Sequence, residues 1–140
     1  MTSEEAAPPE GDRLGQHLGL EHLEDEDPGR ARGRIAVAEH LLQPYGFMHG
    51  GVFAVLAESI CSRATWEAVR GRGDVAMGQA NQTTLLRPVE RGRVHAEARA
   101  LHRGRTTWVW QVEFTDDEGR LCAVSQMTVA VRPANRETGS

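Results

Sequence analysis

The chain has no lysine: all 16 of its basic residues are arginine. Any cationic site is therefore built from planar guanidinium forks, which suit phosphate oxygens. Cysteine is scarce too. Cys61 and Cys122 are the only two, far apart and without metal-like spacing, which predicts packed, reduced thiols in a reducing cytosol. Long apolar runs are missing. Glu58 interrupts the longest one, so no stretch approaches the roughly 18 residues of a membrane span. The first ten residues are acidic and polar, which fits neither a signal peptide nor an Arg-rich transit peptide. A net charge of −4 gives no general nucleic-acid footprint. The six histidines are scattered without His-Glu-x-x-His or paired Cys/His spacing, which argues against a metal. There is no Gly-x-Ser-x-Gly elbow, no phosphate-binding Gly-rich loop and no dinucleotide fingerprint. The expectation is a cytoplasmic protein with no cofactor, metal, membrane or nucleic-acid partner.

What is present fits one domain. At 140 residues and 39% hydrophobic content the chain has enough for a single core, burying about two-thirds of its unfolded surface. Residues 1–12 are rich in Glu, Pro and small residues and read as a loose tail, as do residues 134–140, leaving residues 13–133 as the folded unit. Within that unit Leu14 to Leu18 has room for a short helical turn. Leu20 to Glu24 and Arg34 to His40 read as strands around Asp27-Pro28-Gly29. Val52 to Val69 reads as one long helix whose first half is apolar all round, which predicts burial on most sides. Met77 to Leu86, Arg93 to Arg103, Thr106 to Phe114 and Leu121 to Val131 read as four more strands. Trp108, Trp110, Val112 and Phe114 share one face. Asp116 to Gly119 is a hairpin turn. Short turns between consecutive strands imply antiparallel pairing, with the sheet curved around the helix.

Glu58 is the anomaly, a carboxylate in the middle of the apolar helix. It faces either water, as a solvent stripe or ion pair, or a pocket that desolvates it and raises its pKa. His49-Gly50-Gly51 opens the helix. Its bare N–H groups sit at the positive dipole end and suit an oxyanion, although two glycines also simply permit a tight turn. Gly50 and Glu58 are eight residues apart, about 12 Å along a helix. They cannot both reach one carbonyl, so joint action requires two chains and a site at a symmetric dimer interface. Arg87 before Pro88, and the turn Arg103-Gly104-Arg105-Thr106-Thr107, suit the phosphates of a nucleotide handle, or are ordinary solvated turns.

The segment Gln43-Pro44-Tyr45-Gly46-Phe47-Met48-His49-Gly50-Gly51, followed by Ala57-Glu58-Ser59, resembles hotdog-fold acyl-CoA thioesterases. The likeness is strongest to the 4-hydroxybenzoyl-CoA thioesterase subtype with a helical Glu. It continues through Gly78 to Asn81, Leu86 to Val89, Thr106 to Trp108 and Asp116 to Val131. The resemblance implies an α+β hotdog fold, a curved antiparallel sheet of five or six strands around one long helix. It implies Glu58 as nucleophile or general base, and Gly50 as the N–H donor to the thioester oxygen. Gln43 would lie near the carbonyl, His49 at the helix start, and Ser62 would position water. Arg87 and Thr106 would contact the CoA nucleotide, with Arg103 and Arg105 beside them; Arg105 stands where a small hydroxyl residue is expected. It further implies shared dimer sites, a homotetramer, and a substrate that is an aromatic acyl-CoA, with CoA as part of the substrate. A non-catalytic acyl-CoA-binding domain and a hotdog dehydratase are the alternatives.

Overall fold

The computed structural model describes residues 11–134. The expected tails lie outside the described residues, apart from Gly11, Asp12 and Ala134. Asp12 has a defined role: its carboxylate accepts the Gly15 N–H at 2.9 Å and caps helix α1 (Arg13–Leu18). It also accepts the hydroxyl of Ser59, which docks α1 on the long helix α2 (Gly50–Val69).

Six strands form one antiparallel sheet: β1 (Glu21–Leu23), β2 (Arg30–Ala36), β3 (Asp74–Leu85), β4 (Arg93–Arg103), β5 (Thr107–Thr115) and β6 (Leu121–Pro133). Their order is β1-β2-β4-β5-β6-β3, so β1 and β3 are the edges. The sheet curls around α2, the expected hotdog arrangement. Alternation explains which face is inward. Trp108, Trp110, Val112 and Phe114 on β5 are all buried against α2, with Met127, Val129 and Val131 of β6 beside them. Each large side chain so buried contributes roughly 1.5–3 kcal/mol. Phe53 of α2 meets Phe114 edge-on, centroids 5.3 Å apart. The Trp110 indole N–H donates to Thr65 Oγ1 at 2.9 Å, and that hydroxyl donates to the Cys61 carbonyl. No polar atom of this buried contact is left unpaired.

The strand expected over Arg34 to His40 is corrected. The strand runs over Arg30–Ala36, and Glu39–Leu41 is a single 3-10 turn. The reason lies in small inward residues. Ala31, Gly33 and Ile35 alternate inward under α2, and a side chain at Gly33 would stand 2.7 Å from Ile60 Cγ2. Arginines at 30, 32 and 34 occupy the outer face, so the segment looks polar although its inward face is closely packed. The long helix starts two residues before Val52, and β3 starts at Asp74 rather than Met77. No helix among the described residues is long and apolar enough to cross a membrane.

Candidate active site

Helix α2 buries Val52, Phe53, Leu56, Ala57, Ile60, Cys61, Thr65 and Val69. Glu58 lies off that face and is exposed in the single chain. Of the two expectations for Glu58, water or a desolvating pocket, the single chain shows the carboxylate facing water, so any exclusion of water there comes from outside the protomer. Nor is it half of an ion pair, since among the described residues Glu58 has no hydrogen-bond or salt-bridge partner. Its position is nonetheless specific. The carboxylate packs against Gly78 of edge strand β3, so closely that a Cβ on Gly78 would lie 2.7 Å from Glu58 Oε2. Three residues further along β3, Asn81 Nδ2 donates to the Ala54 carbonyl at 2.9 Å. Ala54 is the i−4 helical acceptor position for Glu58, so Asn81 ties the edge strand to the turn that carries the carboxylate.

A groove of about 820 Å³ opens beside Glu58. It runs along α2 past Ser59, Ser62, Arg63, Trp66 and Arg70, walled by α1 and Leu20 on one side and by Val75 to Met77 on the other. From Glu58 to Trp66 the helix advances about 12 Å. Trp66 and Met77 make one stretch apolar, while Ser62 sits one turn from the carboxylate. The Ser62 hydroxyl is buried and has no hydrogen-bond partner among the described residues.

The helix start is elsewhere. His49 Nδ1 accepts the Gly51 N–H at 2.9 Å and the His49 carbonyl accepts that of Val52. Among the described residues nothing in the chain takes the Gly50 N–H. It is the donor left over at the positive helix end. Gly50 packs against Leu85, at the opposite end of β3 from Asp74; a Cβ there would lie 2.6 Å from Leu85 Cδ1. Gln43 Oε1 accepts the Tyr45 N–H inside its own loop, and neither Gln43, His49 nor Gly50 lines the groove. One chain thus brings together Glu58 and Ser62, and separately Gly50, His49 and Gln43.

The arginines divide likewise. Strand pairing puts Asp74 opposite Pro133 and Thr107 opposite Ala130. Arg103, Arg105 and Thr106 therefore share the sheet end where β3 begins. There Arg103 lies over the Trp108 ring at 5.9 Å, and the Thr106 carbonyl accepts from Arg132 at 2.8 Å. Arg87 follows the other end of β3, its N–H bonded to the Cys122 carbonyl. These residues do not form one phosphate site within a protomer.

The thioesterase superfamily model matches residues 45–123, which covers the helix start, Glu58, Gly78 and Arg105. The chain belongs to the thioesterase superfamily. The 1,4-dihydroxy-2-naphthoyl-CoA hydrolase of Escherichia coli K12 is 36% identical over 116 residues, spanning 83% of this chain and 79% of that protein. The proofreading thioesterase EntH of Klebsiella pneumoniae is 35% identical over 115 residues, 82% of each. The crystal structure of a mutant of thioesterase PA1618 from Pseudomonas aeruginosa superposes with a TM-score of 0.80 at 35% identity, covering 86% of each chain. These likenesses support thioester hydrolysis of acyl-CoA-type substrates. Reading the residues in sequence gave Gly78 and Asn81 a place in the resemblance but no role, assigned none to Trp66 in the site, and left Asp12 in a loose tail. A glycine inside a strand is a signal for close approach and was the available clue to Gly78. Asn81 and Asp12 carry no such signal.

Proposed function

We propose that this protein is an acyl-CoA thioesterase that hydrolyses an aromatic acyl-CoA at a site shared by two protomers. The observation that carries the reading is the groove that begins at Glu58, a carboxylate with no partner among the described residues, and runs past the Trp66 ring. A flat apolar wall beside a carboxylate suits an aryl thioester. A 4-hydroxybenzoyl or related aryl group fits. The naphthoyl-CoA hydrolase among the relatives supports an aromatic group as well.

The second protomer is argued from β3. It is an edge strand of 12 residues, and Met77 and Leu85 on it are half exposed. Such an edge invites pairing with a copy of itself. An antiparallel pair in which Gly78 of one chain faces Leu85 of the other sets Glu58 beside the partner subunit's Gly50, because each packs against the strand residue in question. The same pairing lays the Arg87 end of one chain alongside the Arg105 end of the other, where the CoA phosphates would lie. The partner also supplies the water exclusion that Glu58 lacks alone. Two such dimers back to back complete a tetramer.

In this arrangement the Gly50 N–H polarises the thioester carbonyl, with Gln43 and His49 shaping the loop around it. Glu58 attacks the carbonyl carbon and the C–S bond breaks, giving an anhydride and CoA thiolate, which takes up a proton; water then cleaves the anhydride. Alternatively Glu58 takes a proton from a water held by Ser62, and that water attacks. Both routes consume one water and release the free acid and CoA. A thiol-release assay over aryl- and alkyl-CoA substrates tests the reading. Glu58→Gln should fold normally and lose turnover by about two orders of magnitude or more. Near-normal turnover in that variant removes Glu58 from the mechanism. Binding without turnover in the wild-type protein assigns the chain to the non-catalytic class.

A further inference from the structure

We infer that an irregularity in β3 and a hydrogen-bond chain beginning at Ser125 together position Glu58, and that Asn81 is the positioning residue through which they act. The inference rests on the acyl-CoA reading of Glu58. Side chains alternate along a strand, so residues three apart ordinarily point to opposite faces. Gly78 and Asn81 are three apart, yet both meet α2, Gly78 against the Glu58 carboxylate and Asn81 at the Ala54 carbonyl. The register explains this. Gly78 pairs with Val129 and Asn81 with Met127, buried residues of β6 that are two apart, and the register shifts between Gly78 and Ala80, at Gln79. This one-residue bulge turns both Gly78 and Asn81 toward the helix that carries the carboxylate, the re-aiming that bulges perform beside functional sites.

The carboxylate has no hydrogen-bond or ion-pair partner among the described residues, and Gly78 offers it a surface but no side chain to hold it. What is held is the helix turn. The Ala54 carbonyl sits at the i−4 acceptor position for the Glu58 N–H. A carbonyl has two lone pairs, so this one also takes the Asn81 Nδ2 proton at 2.9 Å without breaking the helix. The amide is fixed from behind. Thr83 Oγ1 donates to Asn81 Oδ1 at 2.7 Å and lies 2.7 Å from Ser125 Oγ. A hydroxyl carries one proton. That of Thr83 goes to Asn81, so Ser125 donates to Thr83. Ser125 is buried in line with Ala123 and Met127, a polar residue on an otherwise apolar face. The donors therefore run one way, from Ser125 to Thr83 to Asn81 to the Ala54 carbonyl. That direction leaves the Asn81 amide a single orientation and ties the sheet interior to the turn that bears the acid.

The test measures kcat and KM on the thioester that the wild type cleaves fastest in an aryl- and alkyl-CoA panel. Asn81→Leu keeps the side-chain size but removes both amide contacts. Its kcat should fall by about tenfold or more while KM stays within about threefold. Thr83→Val should lose about three- to tenfold in kcat, and Thr83→Ser, which keeps the hydroxyl, should restore it. The deciding comparison is made on Glu58→Gln. A residue that acts through Glu58 has nothing left to position there, so adding Asn81→Leu should take about threefold or less from the residual rate. Unchanged kcat in folded Asn81→Leu, a loss carried by KM alone, or the full further loss on Glu58→Gln overturns the inference and leaves the hydrolase reading intact. Circular dichroism and size-exclusion chromatography check fold and assembly. If Asn81→Leu does not fold, Thr83→Val and Thr83→Ser decide in its place, and equal kcat in the two overturns the inference. If the wild type cleaves no thioester, or Glu58→Gln loses no activity, the hydrolase reading or its use of Glu58 fails separately. Carbon-13 NMR then decides this inference. The Glu58 carboxyl resonance, identified by its loss in Glu58→Gln, should shift in Asn81→Leu or Thr83→Val; an unmoved resonance overturns it.

Discussion

Gly78→Ala should damage catalysis far more than stability. The backbone of Gly78 is not in the left-handed region, so alanine is tolerated there without strain. The new Cβ, however, would stand 2.7 Å from Glu58 Oε2, 2.9 Å from Cδ and 3.0 Å from Cγ, whereas ordinary contacts begin at 3.4 Å. The carboxylate must retreat by the difference, about 0.7 Å for Oε2. Glu58 is the far part of a flexible side chain on an exposed stretch of helix, so rotation relieves the clash at little cost to the fold. A displacement approaching 1 Å at a reacting group costs up to about a hundredfold in rate, or about 2.7 kcal/mol of barrier at 1.36 kcal/mol per tenfold. The assay is thiol release under saturating acyl-CoA, paired with a urea melt. The expected result is kcat reduced by about ten- to a hundredfold with a midpoint close to wild type. Full kcat in Gly78→Ala would show that the carboxylate position against β3 has no bearing on the reaction.

Thr65→Val keeps the shape of a buried side chain but strands the Trp110 indole N–H. It should cost about 1–3 kcal/mol and lower Tm by roughly 3–8 °C, read by calorimetry. His22 links stability to pH. Burial lowers its pKa from 6.5, so the unfolded chain binds that proton more readily. Stability is full above about pH 6.5, falls as the pH drops below it, and levels off once the folded imidazole also protonates. His22→Gln should flatten this part of a urea-midpoint profile. Burial also raises the Cys61 and Cys122 thiols, and both side chains are buried. Neither should react with a disulfide reagent in the native protein at neutral pH, and both should react once it is unfolded.

Much of the architecture could be read from the chain before folding. The inward face of β5 is spelled out by Trp108, Trp110, Val112 and Phe114, because a period of two directly encodes a half-buried strand. The long helix shows in an apolar run of helical length, and Glu58 stands out within it because a charge amid apolar residues is locally conspicuous. The Glu58–Gly50 spacing even argued for two chains, since helical rise is a property of the backbone alone. Other features depend on elements distant in sequence meeting in space. Gly33 and Ala31 look like loop residues until Ile60 is seen 2.7 Å from where a Gly33 side chain would be. The groove along Trp66 that Glu58 faces arises from the packing of α1, β1 and β3 around one flank of α2. The placement of Arg87 and Arg105 at opposite ends of the sheet follows from the antiparallel register, which sets Asp74 opposite Pro133 and Thr107 opposite Ala130. Local pattern decides what each segment becomes, because propensity and periodicity act over a few residues. Which side chains share a site is decided by tertiary contacts, which no local pattern contains.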